Sequence, residues 1–219
     1  LVSLCFAAGL NLPPGAAQEL LTCLDAADRR ARLDPHHREV DTARLITAWL
    51  KKLHLPAPPD LLDQAVHHFW HSWVGCLEPF ERVETTLAEL SARRYAIGLV
   101  SDVIAPPDIC RQQLERLGLA RYIPVTVFSS QLGYRKPHKA IYHAALQELA
   151  RLVGPLEPGS VLFVGDSPLY DVVGPQQMGM RAVLLRNDES NWPAEDYQSA
   201  RPELIIRSVH ELLDHLPGP

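Results

Sequence analysis

Two aspartates lie directly beyond a run of apolar residues in the segment 161–172, VLFVGDSPLYDV. The apolar run stops at Gly165, and Asp166 and Asp171 follow it with no basic residue between them. An apolar run of this kind is typical of a buried strand, and the glycine after it indicates a tight turn. The pattern therefore predicts two carboxylates just past the carboxyl end of a strand, a costly arrangement unless a cation joins them.

Two other predicted strands also end in polar side chains. One ends in LVSD, which supplies Ser101 and Asp102, and the other precedes SSQLGYRKP, which supplies Arg135 and Lys136. Carboxylate oxygens suit Mg²⁺, which binds through one or two carboxylates plus substrate phosphate and keeps several waters. A hydroxyl and a lysine opposite the metal would hold the phosphate oxygens. Together these residue types indicate a phosphoryl-transfer site with Mg²⁺ as cofactor.

Each of these residues also has a purely structural interpretation. An aspartate after a strand commonly caps a turn or helix, as Asp166 and Asp171 could. Ser101 could belong to a turn, Lys136 could be a surface lysine, and Arg135 could touch substrate or simply be exposed. The order of these residues along the chain, and their placement at three strand ends, favours the site.

The hydrophobic pattern divides the chain into a helical part and an alternating part. Three segments between residues 16 and 75 carry apolar residues at helical spacing, with no strand-like segment between them. From about residue 82 helices alternate with strands, which fall at 95–100, 123–130, 160–165 and in RAVLL and ELIIRS. This alternation predicts an α/β fold with a parallel sheet, whose ligands bind beyond the carboxyl ends of the strands. Residues 187–202 are predicted to form a polar loop.

The composition is typical of one large globular domain, or of one domain with an insertion. The 219 residues are 47% hydrophobic and carry a net charge of −5 without a Lys/Arg cluster, which argues against a nucleic-acid or membrane partner. The four cysteines contain no CxxC pair, a pattern that favours free thiols in a reducing cytoplasm. No apolar run approaches the roughly 20 residues that span a bilayer. We therefore expect a cytoplasmic protein, a monomer or a homodimer.

Three stretches of the chain resemble motifs of the haloacid dehalogenase-like hydrolase superfamily. LVSD, GYRKPHKAIYHAAL and VLFVGDSPLYDVVGPQQMGMRAVLL are similar to its second, third and fourth motifs. The helical residues 16–75 resemble the small cap that such proteins insert after their first strand. The resemblance covers nearly the whole chain. It implies a Rossmann-like parallel-sheet core over residues 81–219, with an inserted all-helical cap domain within residues 1–80 that supplies substrate specificity.

The resemblance also implies a role for each strand-end residue. Asp166 would coordinate Mg²⁺ directly and Asp171 would support the same metal site. Lys136 would neutralise the phosphate and the nucleophile, and Ser101 would hydrogen-bond a phosphate oxygen. Asp102 would lie at the phosphate, where the superfamily often has asparagine. The implied activity is Mg²⁺-dependent hydrolysis of the phosphate monoester of a small metabolite.

Other functions stay open on the same resemblance. A phosphomutase of the superfamily uses the same groups, whereas a dehalogenase needs no metal and lacks the paired aspartates. A phosphatase-like domain without turnover would act as a binding module. Pro175 departs from the family pattern, because it falls where the helix after the fourth motif usually continues.

The first motif of the family is missing from the sequence. Family members open with a strand that ends in D-x-D-x-T, whose first aspartate is the nucleophile and whose second is the general acid/base. No such run exists here, and we expect a segment upstream of Leu1 to carry it, because losing a central strand would leave two neighbours unpaired. The alternatives are a chain that truly lacks the nucleophile, and residues 1–6, LVSLCF, filling the strand position without a carboxylate.

Overall fold

The structure is a computed structural model that describes residues 12–55, 59–186 and 192–218. Helices alone make up its first part: α1 (Ala16–Arg32), α2 (Thr42–Lys52), α3 (Pro59–Val74) and α4 (Val83–Ala92). Strands and helices then alternate: β1 (Gly98–Ser101), α5 (Pro107–Arg116), β2 (Val125–Phe128), α6 (Ser129–Leu132), α7 (Lys139–Val153), β3 (Leu162–Gly165), α8 (Gly174–Gln177), β4 (Arg181–Leu185), α9 (Ala194–Ser199), β5 (Leu204–Ile206) and α10 (Leu212–His215).

The first three helices pack around one apolar core that also reaches the alternating part. Apolar residues at helical spacing place Leu20 of α1, Ile46 of α2 and Trp70 of α3 in this core, each buried. Ile109 of α5 and Phe128 of β2 belong to the same cluster. The helical part is therefore fixed against α5 and the end of β2, and a domain boundary near residue 80 stays a prediction.

The strands form two parallel sheets. β1 pairs with β2 so that Ser101 lies opposite Phe128, and the second sheet has the order β3-β4-β5 with Gly165 opposite Leu184. A helix lies in the connection between consecutive strands, which is what parallel pairing requires. The predicted α/β class and the predicted parallel strands are confirmed.

A cavity of about 1050 Å³ is lined by β1, from the first sheet, and by β3, from the second, along the length of both strands. These two strands are only partly buried, whereas β2 and β4, on their far sides, are mostly buried. In a parallel sheet covered by helices the inner strands are normally the most buried. No strand among the described residues lies between β1 and β3, and residues 1–6 lie outside the described part.

Two segments after β3 have local structure that the sequence pattern only partly predicts. The predicted polar loop is wrong for residues 194–199, which form α9, while residues 187–191 lie outside the described part. Residues Pro168–Val173 form a π-helical turn, and a new helix, α8, then begins at Gly174 with Pro175 at its start. A proline is accommodated there because the first N–H groups of a helix have no intrahelical partner.

None of the helices in the described part of the chain has the length and apolar character needed to cross a bilayer.

Candidate active site

The end of β1 is joined to the loop after β2 by a side chain. The carboxylate Oδ1 of Asp102 accepts a hydrogen bond from the backbone N–H of Lys136 at 2.9 Å. Burial raises the pKa of Asp102, although Lys136 and Arg135 oppose the increase. Ser101, the last residue of β1, lines the cavity beside Asp102. Asp102 therefore fixes the position of the Lys136 backbone relative to the first sheet.

The side chain of Lys136 crosses from the first sheet to the second. Its ammonium Nζ donates to Oδ1 of Asp171 at 2.7 Å, and the two side chains are only 12% and 5% exposed. The same Nζ lies 5.9 Å from the centre of the Phe163 ring in β3. Lys136 is thus a largely buried, ion-paired residue, and its interpretation as a surface lysine is wrong.

Both oxygens of Asp171 are engaged by protein groups. While Oδ1 accepts from Lys136, Oδ2 accepts from the backbone N–H of Ser167 at 3.0 Å. The Ser167 hydroxyl in turn accepts from the Tyr170 N–H at 3.1 Å and so caps the π-helical turn. The Asp171 side chain also packs directly on Gly165, where an added Cβ would lie 2.4 Å from Asp171 Cγ. The turn after β3 therefore depends on a glycine at position 165.

Asp166 is the exposed carboxylate of the pair. Its Oδ2 accepts a hydrogen bond from the indole Nε1 of Trp192 at 3.2 Å, and Trp192 in turn lies edge-on to Tyr170 with ring centres 5.6 Å apart. Because it follows β3 directly and borders the cavity, Asp166 offers its carboxylate to a bound molecule. Asp171, five residues later, is turned inward.

These two aspartates fit a magnesium site in which the protein supplies few of the ligands. Asp166 can supply one direct oxygen ligand, whereas both oxygens of Asp171 are engaged by Lys136 and by the turn, and its role at a metal site stays a prediction. The described residues contain no group of three or more His, Cys, Asp or Glu side chains that could hold a metal ion. Mg²⁺ is compatible with such a site, because it commonly keeps waters and uses one or two carboxylates together with phosphate oxygens.

Arg135 has a different environment from its neighbour Lys136. Its Nη1 forms ion pairs with Asp28 of α1 at 2.5 Å and with Glu39 at 3.1 Å, and its side chain is only 5% exposed. The interpretation of Arg135 as an ordinary exposed arginine is therefore wrong.

One cavity brings the predicted site residues together. Ser101, Asp102, Lys136, Asp166 and Asp171 all border it, although they come from three separate strand ends. The carboxyl ends of parallel strands meet at one edge of a sheet, which is why sequence position alone could anticipate this meeting. The chemical role of each residue stays a prediction.

Four further residues shape the site but are not apparent from the sequence pattern. Glu39 and Asp28 lie far from Arg135 along the chain, so no local spacing indicates the contact. Trp192 lies within the polar segment 187–202, for which the sequence predicts only a loop. Gly165 could be recognised as a turn glycine, but its close approach to a side chain six residues later could not.

Comparison with known proteins shows which family this chain resembles. The model of the haloacid dehalogenase-like hydrolase family matches residues 36–185. A glyceraldehyde 3-phosphate phosphatase of Methanopyrus kandleri is 27% identical over 173 residues, which are 74% of this chain and 70% of that protein. A phosphoglycolate phosphatase of Yersinia pseudotuberculosis is 28% identical over 157 residues, 70% of this chain and 63% of that protein. A phosphoserine phosphatase of Thermus thermophilus is 29% identical, but the match spans only 49% of its length and 61% of this chain.

Solved structures show the same fold. A haloacid dehalogenase-type phosphatase from Thermococcus onnurineus superposes with a TM-score of 0.59 at 22% identity, over 98% of this chain and 85% of that one. The hydrolase YfnB of Bacillus subtilis superposes with a TM-score of 0.61 at 18% identity, over 97% and 87% of the two chains. The predicted hydrolase assignment is confirmed, and this chain belongs to the haloacid dehalogenase-like hydrolase family.

Proposed function

We propose that this protein is a phosphatase that hydrolyses the phosphate monoester of a small metabolite, with Mg²⁺ bound at Asp166. The observation that carries the proposal is the buried Lys136–Asp171 pair, 2.7 Å apart, beside the exposed Asp166 at the edge of one cavity. An ammonium held this way can neutralise a phosphate dianion in a partly dry site. The named relatives of this chain, which act on different phosphorylated compounds, support a phosphorylated substrate of small size.

Each residue has a task in this mechanism. Lys136 and the Ser101 hydroxyl bind non-bridging oxygens of the phosphoryl group, and Asp102 holds the Lys136 backbone in place. Asp171 holds the lysine side chain in position by accepting a hydrogen bond from its ammonium group. A bound Mg²⁺ supplies charge neutralisation of the phosphate oxygens at Asp166. Tyr170 and Trp192 line the same cavity and limit the shape of the group attached to the phosphate.

The nucleophile is proposed to come from an extended segment that lies between β1 and β3. Two parallel strands face each other there across an apolar cavity, and their partial burial suits one further strand between them. A carboxylate at the carboxyl end of such a strand would emerge between Lys136 and Asp166. It would attack phosphorus while the P–O ester bond breaks, and the metabolite would leave as an alcohol with a proton from the general acid; water would then hydrolyse the aspartyl-phosphate to the free carboxylate and inorganic phosphate. In this proposal the helical cap lies within residues 1–80 and the core within residues 81–219.

The cellular setting is part of the same proposal. The cysteines in the described part of the chain, Cys23, Cys76 and Cys110, are free thiols, which suits a reducing cytoplasm. We propose a cytoplasmic monomer or homodimer.

The test compares two proteins: residues 1–219, and the full protein as its gene encodes it. Hydrolysis of an aryl phosphate and of a panel of phosphorylated metabolites is measured with Mg²⁺ and with a chelator. We expect Mg²⁺-dependent turnover by the full protein and none by residues 1–219, whose sequence contains no D-x-D-x-T run. Asp166→Asn should abolish turnover, while Asp25→Asn, an exposed charge-matched control paired with Arg29, should leave it unchanged.

The outcomes separate the competing functions. Full activity in chelator would refute the metal role of Asp166. Turnover of haloacids without phosphate hydrolysis would identify a dehalogenase, and phosphate transfer within a sugar phosphate would identify a mutase. Metabolite binding without turnover by the full protein would identify a binding module. Clear turnover by residues 1–219 alone would show that the nucleophile lies elsewhere.

A further inference from the structure

The guanidinium of Arg135 connects the helical part of the chain to the loop that carries Lys136. It pairs with Asp28, about one turn before the end of α1, and with Glu39, in the segment between α1 and α2. The side chains of Arg135 and Glu39 are 5% and 2% exposed. Arg135 therefore pairs with the helical part, whereas the next residue, Lys136, pairs with Asp171 in the turn after β3.

The backbone reinforces this connection. The N–H of Arg135 donates to the carbonyl oxygen of His37 at 2.8 Å, and the N–H of Glu39 donates to the carbonyl oxygen of Gly133 at 2.9 Å. Between these two hydrogen bonds, Arg38 and Tyr134 form an antiparallel β-bridge. The segment before α2 is thus paired directly with the loop that delivers Lys136.

Glu39 also reaches the other side of the site. Its Oε2 accepts a hydrogen bond from the Ser129 hydroxyl, and that hydroxyl accepts from the backbone N–H of Val103 at 2.7 Å. Val103 follows Asp102, whose carboxylate binds the Lys136 backbone. Through Ser129 the Glu39 carboxylate is therefore connected to Val103, the neighbour of Asp102, and it pairs directly with Arg135, the residue before Lys136.

A role in stability alone does not account for this cluster. Removing charged groups from water is costly, and apolar side chains of similar volume commonly replace buried ion pairs without loss of stability. Buried ionic groups are better suited to fixing a single arrangement of the elements they join, because breaking any one contact leaves an unpaired charge. The elements joined here are α1, the segment before α2, and the two loops that form the phosphate site.

We propose that Glu39 and Arg135 are positioning residues: they fix the backbone at 102–103 and at 135–136 relative to the helical part, and so aim Lys136 at the phosphate. This inference rests on the proposed function and deepens it, because it makes the position of the catalytic lysine depend on contacts with the helical part. Asp28 completes the set by supplying the contact from α1.

The first test reads the position of Lys136 directly and needs no activity. The chain has only four lysines, Lys51, Lys52, Lys136 and Lys139, so their acylation rates can be followed individually by mass spectrometry. In the wild type we expect Lys136 to react slowest. In Glu39→Gln and in Arg135→Met, Lys136 should react severalfold faster, while the exposed Lys139 should be unchanged. Asp25→Asn, one turn from Asp28 on α1, is the matched control and should leave all four rates unchanged.

A rise in all lysine rates together would show general loosening, and an unchanged Lys136 rate would show no control of its position. Either result overturns the inference, whatever the reaction of the protein is.

The second test uses turnover of an aryl phosphate by the full protein. Glu39→Gln should lower kcat/KM about tenfold or more, mainly through kcat, because small misplacements of a catalytic group have large effects on rate. In a Lys136→Ala background the same substitution should have little further effect, since it acts through that lysine. Equal effects in both backgrounds would overturn the positioning role. A wild type that hydrolyses no phosphate ester would instead refute the proposed function, while the labelling test still decides the inference.

Discussion

Gly165→Ala is the substitution whose effect on the site follows most directly from the structure. The Cβ of an alanine at position 165 would lie 2.4 Å from both Cγ and Oδ2 of Asp171. Ordinary contact with a Cβ begins at 3.4 Å, so the Asp171 side chain would have to retreat by about 1 Å. Asp171 is buried, and its two oxygens already hold Lys136 at 2.7 Å and the Ser167 N–H at 3.0 Å. The retreat must therefore lengthen at least one of these hydrogen bonds.

The magnitude of the effect can be bounded. Forcing extra atoms into a packed site costs about 1–3 kcal/mol. For a protein of this size each kcal/mol corresponds to a fall in melting temperature of about 2–4 °C, so we expect a fall of roughly 2–12 °C. A catalytic group displaced by about 1 Å can lose on the order of a hundredfold in rate. Turnover by the full protein should therefore fall far more than its stability does.

The measurement is calorimetric melting together with the acylation rate of Lys136. Gly98→Ala is the matched control, because Gly98 is also a strand glycine facing the cavity, but its added Cβ would only reach ordinary contact, 3.4 Å from Val125 Cγ1. Gly165→Ala should melt lower than Gly98→Ala and expose Lys136 to the reagent. Equal melting temperatures and an unchanged Lys136 rate would refute the claim that Asp171 occupies the space beside Gly165.

Three other predictions concern individual side chains. Lys136→Ala should lower the free energy of unfolding by about 3–5 kcal/mol, as measured by urea denaturation, because Asp171 is left as an unpaired buried charge, and it should remove most of the turnover, leaving a measurable residual rate; adding Asp171→Asn should restore stability but not turnover. Burial opposes ionisation of Asp28, but hydrogen bonds from Arg135 and Arg32 outweigh it and lower its pKa, whereas burial raises the pKa of Glu39. The stability lost in Asp28→Asn should consequently shrink as pH falls through and below the ordinary aspartate pKa of 3.8. The stability lost in Glu39→Gln should instead shrink as pH rises above the ordinary glutamate pKa of 4.5. Melting curves of the two variants at several pH values would test this contrast. Alkylation at pH 8 should label the exposed Cys76 well before Cys110, whose pKa burial raises to about 11, and equal rates would contradict that burial.

The parallel strands could be predicted from the sequence, because a short apolar run between turn residues is typical of a buried strand when helices alternate with such runs. The strand Leu162–Gly165 lies within its predicted range, and Gly98–Ser101 ends one residue beyond the predicted 95–100. The short helix Ala194–Ser199 could not be predicted, since its Asp, Glu and Ser residues are typical of loops and only the preceding Pro193 marks a helix start. Local composition does not contain the tertiary contacts that stabilise such a helix.

The same distinction applies to the site. The meeting of Asp102, Lys136 and Asp171 follows from topology, because parallel strands send their carboxyl ends to one edge. The Glu39–Arg135 pair follows from no local pattern: 96 positions separate the two residues, and Glu39 belongs to neither a helix nor a strand of the sheets. Contacts between an irregular segment and a loop depend on the packing of the whole chain, which periodicity does not reveal.

The two aspartates of the segment GDSPLYD lie close together in the sequence but have different environments. Asp166 follows the strand directly, is exposed, and has only the Trp192 indole as a described hydrogen-bond partner, so it is available to a ligand. Asp171 lies one π-helical turn later, where the chain has folded back onto Gly165, and both its oxygens are used to hold Lys136 and the turn. Replacing either by asparagine should thus have different consequences: loss of ligand affinity with the fold intact at position 166, and loss of stability together with the lysine's position at 171. Calorimetric titration with Mg²⁺ and melting curves of the two variants would separate them, and identical behaviour would contradict this division of roles.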